Sequence, residues 1–324
     1  MMNEPPNDAP VGVVGLGLMG SSIVAALLVA GHTVKAIAPL APEAAEAPGR
    51  IEGQLRQCRE AGLVGALAPY LDMLTISEDY TALAGCQLVI ECVIERPEIK
   101  ASVYAKITGA VSANCIVGSN TSAIPISELQ KHIDIPGRFL GIHWAEPAFM
   151  TRFLEITCGE QTDPVFAERV FRLAHRWGKE PTLLRKDIRG FITNRLMYAV
   201  YREIFSQIET GNATAEDADK AFRYDAGSWM TLMGIFRRMD YMGLKDFNAI
   251  LPRLFPQLSN STEVPEIMQR MVREGARGVH NDRGLYPYEP GEGRQWDDAF
   301  ARFNREIHQL AAEYSAGKVK AYLQ

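Results

Sequence analysis

The stretch VGVVGLGLMGSSIVAALLVAGHTVKAIA, residues 11–38, constrains the fold more than any other part of the chain. A β-branched run, Val11–Val14, leads into a G-x-G-x-x-G turn made by Gly15, Gly17 and Gly20. A stretch of small and apolar residues of helical length follows, closed by Gly31, and a second strand-like run ends at Ala38. Strand, glycine turn, helix and strand is the opening unit of a parallel sheet that binds a dinucleotide. Each glycine has its own mechanical task. Gly15 makes the tight turn, Gly17 lets the backbone approach a pyrophosphate, and Gly20 lets the helix pack on the strand. The helix start, at Leu18 and Met19, then faces the phosphates.

Such a unit ordinarily carries a carboxylate for the adenosine ribose at the end of its second strand. Here that position is Ala38, followed by Pro39. The ribose grip is therefore absent or supplied from elsewhere, with Glu43 the candidate. No Arg or Lys stands between 39 and 49 to receive a 2′-phosphate, and Lys35 lies within the strand. This favours NAD over NADP.

Short apolar runs recur further on: LTI, QLVIECV, CIVGS, FLGIH and FLEIT. Helical stretches such as PEIKASVYAKITGAV and DPVFAERVFRLAHRWG separate several of them, and a polar Ala/Glu/Arg-rich helix is expected over about 42–70. This alternation predicts an α/β fold: a doubly wound, mostly parallel sheet covered on both faces. From Phe191 onward the pattern turns almost wholly helical, with FITNRLMYAVYREIFSQIETG closed by Gly211 and Thr214 placed as an N-cap. The expected organisation is a polar, Pro-rich tail over 1–9, a nucleotide-binding domain over 10–187, and an all-helical domain over 188–324 for substrate and dimerisation.

At 324 residues the chain has room for two domains, and 47% apolar content supports a sizeable core. A net charge of −5 gives no basic footprint for nucleic acid. The apolar run SSIVAALLVA is too short to span a membrane. Five cysteines without CxxC spacing read as buried thiols in a reducing cytoplasm, and the scattered histidines form no metal-ligand cluster. The expected partners are a small-molecule substrate and a second copy of the chain, with neither nucleic acid nor membrane.

The segment GIHWAEPAFMTRFLEI, 141–156, sets two titratable groups, His143 and Glu155, inside apolar runs. Oxidising a secondary alcohol requires a base for the hydroxyl proton while a hydride leaves the same carbon. Neutral imidazole suits that task, since its ordinary pKa of about 6.5 lies near working pH. Burial alone would weaken it. A carboxylate on a neighbouring strand stabilises the imidazolium and fixes the tautomer.

With these segments in view, the chain resembles the 3-hydroxyacyl-CoA dehydrogenase superfamily along nearly its whole length. GLGLMG, ECVIERPEIK, SNTSA, GIHWAEP, FLEI and GFITNRL carry the resemblance, with MDYMGL and GLYPY in support. Length and the late EGRQW are nearest the shorter branch that contains lambda-crystallin (L-gulonate dehydrogenase) and L-carnitine dehydrogenase. The resemblance implies a Rossmann-type first domain, NAD as cofactor, and a homodimer formed through the helical domain. It makes His143 the general base and Glu155 its partner. Ser122 and Asn194 hold the reacting oxygen, and Glu95 and Lys100 line the nicotinamide-ribose side. The activity implied is NAD-dependent oxidation of a small β-hydroxy carboxylate or related hydroxy compound. The alternatives are a 3-hydroxyacyl-CoA substrate, or a non-enzymatic dinucleotide sensor or crystallin-like protein.

Two departures from the family pattern stand out. Glu146 occupies the position of an Asn in the element after the histidine, close to the expected cofactor, and a carboxylate there needs a cation. Arg152 is the nearest in sequence; the two are expected to pair or to grip a polar substrate head, with Arg152 suited to a substrate carboxylate. The helix after the second strand, where acyl-CoA members hold the CoA nucleotide largely with lysines, has only Arg50, Arg56 and Arg59.

Overall fold

A computed structural model of the chain describes residues 9–314, so the expected tail lies outside the described residues except for Ala9. Two compact units divide between Asn194 and Arg195. The sequence placed the division at 187/188. Residues 191–194 fall with the first unit because their backbone and side chains are tied into it: Phe191 is buried, and the amides of Ile192 and Thr193 donate to Glu155.

The first unit is built on eight strands: β1 Val11–Val14, β2 Val34–Ile37, β3 Leu74–Ser77, β4 Leu88–Glu91, β5 Ile116–Ser119, β6 Phe139–Trp144, β7 Phe153–Cys158 and β8 Glu180–Leu184. They form one sheet in the order β3-β2-β1-β4-β5-β6-β7-β8. All pairings are parallel except β6 with β7. The chain therefore leaves β1 toward one side of the sheet and resumes at β4 on the other. Ligands of such sheets sit at this switch point, beyond the carboxyl ends of the strands.

Helices cover both faces, and the alternation within strands decides which side chains meet them. Val11 and Val13 pack with α1 (Leu18–Val29), α2 (Ala41–Glu60) and α6 (Pro164–Arg176). Val14 faces the other way, toward α4 (Pro97–Ala110) and α5 (Ile126–Leu129). The expected helix over 42–70 is interrupted. It stops at Glu60, Gly62 takes a φ of +73°, and a short α3 (Ala68–Leu71) resumes. β8 has no counterpart among the runs singled out from the sequence. It is an edge strand carrying Pro181 and an exposed–intermediate burial pattern, so it lacks the apolar run that marks an inner strand.

The second unit continues α7 (Thr193–Glu209) and adds α8 (Ala215–Ala221), one π turn, α9 (Gly227–Met233), α10 (Ile235–Met242), α11 (Leu244–Leu254), α12 (Glu266–Arg273) and α13 (Glu292–Glu313). Thr214 caps α8 through a reciprocal pair with Asp217, as its position in the sequence indicated. None of the described residues from 195 to 314 is buried.

Candidate active site

The glycine loop shows three different reasons for three glycines. Gly15 has a φ of +93°, and a Cβ there would lie 2.9 Å from the Cys92 carbonyl carbon. At Gly20 a Cβ would come within 1.8 Å of the Gly15 carbonyl oxygen, so the helix can start only where that side chain is missing. Gly17 is open: a Cβ would meet nothing within 4 Å. That open backbone, at the start of a helix with no side-chain cap and no acid in its first turn, leaves the α1 amides at Leu18 and Met19 for an anion. The donor set fits the pyrophosphate of a dinucleotide.

Leu16, in the middle of the loop, is held from α2 at both backbone groups. Its amide donates to Glu43 Oε2 at 3.0 Å, and its carbonyl accepts from Arg50 at 2.7 Å and from the Ser21 hydroxyl at 2.9 Å.

The strands after the switch point end in a polar cluster. Glu91, the last residue of β4, is fully buried and fully satisfied. It accepts from Lys100 at 2.8 Å, Tyr104 at 3.0 Å, Ser119 at 2.7 Å and the Val93 amide at 2.7 Å. Lys100 also pairs with Glu95 at 3.2 Å. Burial pushes the Lys100 pKa down, but the two carboxylates outweigh it and hold the ammonium above its ordinary value. Glu95 is the exposed end of this chain. It accepts from the Thr121 hydroxyl and from the Ser122 amide at 3.1 Å. Burial works against its charge, while Thr121 and Lys100 overcome that and lower its pKa. Lys100 itself, at 1% side-chain exposure, does not line a cleft as expected. It is buried between Glu91 and Glu95.

His143 and Glu155 are register partners across the antiparallel β6–β7 pair, on the same face of the sheet as Phe191. Nδ1 of the imidazole lies 3.2 Å from Glu155 Oε2, with side-chain exposures of 14% and 1%. The other oxygen of Glu155 accepts from the Ile192 and Thr193 amides at 2.9 and 3.3 Å. Phe153 meets the imidazole edge-on at 5.3 Å between centroids, and Phe191 flanks it at 6.0 Å. The Asn194 amide nitrogen donates to the Ser122 carbonyl at 2.8 Å, which braces the loop after β5. The Ser122 hydroxyl makes no hydrogen bond among the described residues.

Arg152 requires a correction. It pairs with Glu180, not Glu146, because β7 and β8 run parallel with Phe153 opposite Glu180, and the Glu180 amide donates to the Arg152 carbonyl at 2.8 Å. Glu146 turns the other way, toward Ser22 of α1, and its Oε2 is buried without a partner; the Ser22 hydroxyl accepts from the Ala148 amide at 2.8 Å. Burial raises its pKa. The loop 145–152 is held from below by Lys179, whose ammonium donates to the carbonyls of Ala148 and Thr151 and lies 5.2 Å from the Trp144 ring.

Glu91, Thr121 and Lys179 were not singled out from the sequence, and Arg50 was named there only among the arginines that could meet a CoA nucleotide. Only Glu91 left a signal there, a carboxylate closing the apolar run LVIE at a strand end.

A parallel sheet with a dinucleotide loop at its switch point, and a His–Glu couple on the same edge, defines an NAD-dependent dehydrogenase acting on CH–OH groups. The chain belongs to the 3-hydroxyacyl-CoA dehydrogenase family: residues 10–188 match its NAD binding domain and 190–288 its C-terminal domain. It is 31% identical over 281 residues to the 5-formyl-3-hydroxy-2-methylpyridine 4-carboxylate 5-dehydrogenase of Mesorhizobium japonicum, covering 86% of this chain and 91% of that protein. The L-carnitine dehydrogenase of Oceanobacillus iheyensis is 30% identical over 285 residues, covering 85% and 92%. Among solved structures, a 5-formyl-3-hydroxy-2-methylpyridine 4-carboxylic acid 5-dehydrogenase described as an NAD+ dependent dismutase superposes with a TM-score of 0.88 at 28% identity, over 95% of this chain and 100% of that one. The (S)-3-hydroxybutyryl-CoA dehydrogenase of Ralstonia eutropha superposes with a TM-score of 0.73 at 26% identity, over 87% and 99%.

Proposed function

We propose that this chain oxidises the secondary alcohol of a small β-hydroxy carboxylate or a related hydroxy compound that is not linked to CoA, with His143 and Glu155 as the acid–base couple. The observation that carries the reading is the Nδ1–Oε2 contact of 3.2 Å across β6 and β7. With Nδ1–H donated to Glu155, Nε2 is left basic and takes the hydroxyl proton. Glu155, itself fixed by two amides, stabilises the imidazolium that results. NAD, when bound, supplies the hydride acceptor. The α1 amides at Leu18 and Met19 would hold its pyrophosphate, and Glu95 would face its nicotinamide side. Ser122, braced by Asn194, offers a hydroxyl for the reacting oxygen. Acid–base placement of this kind contributes roughly 10² to 10⁴ in rate.

The preference against CoA rests on α2. Arg50 is engaged by Leu16 and Glu46, and Arg56 by Glu52, which leaves Arg59 alone among the three for a nucleotide phosphate. NADH formation assayed at 340 nm against a panel of free hydroxy acids, aromatic and aliphatic aldehydes, and 3-hydroxybutyryl-CoA tests this. Turnover of a free hydroxy carboxylate is the expected result. Turnover of the CoA ester alone would overturn the substrate class.

We also place the protein in the cytoplasm as a homodimer. All five cysteines are free. No helix among the described residues is long and apolar enough to cross a membrane. The second unit exposes Phe236, Tyr241, Phe255, Trp296, Phe300 and Phe303, each by more than half. A helical unit that buries none of its described residues needs a second surface, and another copy of the same chain offers one of matching character.

A further inference from the structure

We propose that Glu43, from the first turn of α2, is the acceptor for the adenosine 2′-hydroxyl of the dinucleotide, in place of a carboxylate at the end of β2. The inference rests on the reading of the loop as an NAD site. Three observations lead to it. The β2 terminus cannot serve: Ala38 has no polar side chain, and its Cβ is fully buried in the core with Ala47 and Ile51 of α2. The helix has thus closed over the place where a strand-end carboxylate would stand. Second, Glu43 reaches across to the glycine loop and takes the Leu16 amide on Oε2 at 3.0 Å, which puts a carboxylate beside the turn between the first two glycines of the motif. Third, that carboxylate is only half used. Its Oε1 makes no hydrogen bond or ion pair among the described residues. The nearby guanidinium of Arg50 is occupied by the Leu16 carbonyl and by Glu46 at 2.8 Å.

A carboxylate with one oxygen fixed by the loop and the other open is preset to accept from a ribose hydroxyl, and its charge disfavours a 2′-phosphate. Delivery from a helix rather than a strand end also ties loop position to cofactor grip, because Glu43 and Arg50 hold the two backbone groups of one residue, Leu16.

Two roles have to be separated, a brace for Leu16 and an acceptor for ribose. Glu43→Gln keeps an oxygen that can accept from the Leu16 amide but loses the charge; Glu43→Ala loses both. Binding is read directly by fluorescence titration of NADH and of its analogue lacking the adenosine 2′-hydroxyl, on the purified full chain. The wild type is expected to bind NADH about ten- to a hundredfold more tightly than the analogue, the difference made by one hydrogen bond to a charged group. In both variants that ratio is expected to fall toward one, through weaker NADH binding. Equal binding of the two ligands by the wild type, or an undiminished ratio in Glu43→Gln and Glu43→Ala, would overturn the proposal and leave Glu43 as a brace only. A wild type that binds neither ligand would refute the underlying NAD reading, and the proposal with it.

Discussion

At the residue scale the site is governed by how each buried charge is satisfied. Glu91 and Lys100 form an ion pair with almost no exposure, and Glu91 accepts further from Tyr104, Ser119 and the Val93 amide. Such a pair adds little over an apolar substitute, but breaking it strands a charge. Lys100→Met is therefore expected to destabilise the protein by about 3–5 kcal/mol in denaturant titrations, far more than an exposed lysine would. Glu146 is the opposite case, a carboxylate whose Oε2 has no partner and whose folded pKa burial raises above the ordinary value. The folded state then holds this proton to higher pH than the unfolded chain does. Its contribution is fully present below the unfolded pKa and is lost as pH rises through the folded one. Glu146→Gln should melt higher than the wild type at pH 8, with the gain shrinking as pH falls to 4. A gain that is constant with pH would show that the carboxyl does not titrate differently on folding.

The element scale is where the sequence was most legible. β1, the glycine loop and α1 were readable because an apolar strand, a turn and a helix each impose their own period within one short segment. β4 to β7 were readable for the same reason. The His143–Glu155 contact followed from two apolar runs with one titratable residue in each, once those runs were placed on neighbouring strands. What sequence could not supply was register between elements far apart. Arg152 meets Glu180 only because β7 lies parallel to β8, and β8 itself, a Pro-bearing edge, carried no apolar signature. The Glu91 cluster draws on β4, α4 and β5, and no local pattern announces such a meeting. The glycine loop gives a paired prediction. Gly17→Ala has space, so thermal stability should hold while NADH affinity falls at least about tenfold, since the backbone can no longer approach a phosphate. Gly20→Ala drives a methyl into the Gly15 carbonyl and should cost stability as well, about 1–3 kcal/mol, as overpacking does. Equal stability losses in the two would contradict the separate tasks assigned to them.

At the scale of the whole molecule the two units differ in kind. The first has a closed core on both faces of its sheet, with many side chains at zero exposure. The second has amphipathic helices and no buried residue among those described, which is the ground for the proposed assembly through it. Sedimentation equilibrium at micromolar concentration should give the dimer mass. The melting temperature should rise with protein concentration, and Phe236→Glu together with Phe300→Glu should lower it. A monomeric mass with a cooperative, concentration-independent transition would refute assembly through this unit. His143, Glu155, Ser122, Glu95 and Asn194 all lie in the first unit, so NADH binding should survive those surface changes.

The proposed chemistry needs His143 as the base, oriented by Glu155. The most direct measurement is the rate of NADH appearance in a single turnover of His143→Asn, with the substrate that the panel identifies and NADH affinity measured alongside. The expected result is a rate lower by about 10² to 10⁴ with NADH binding unchanged, and a smaller loss for Glu155→Gln. A rate within about threefold of the wild type, at intact cofactor affinity, would contradict the assignment.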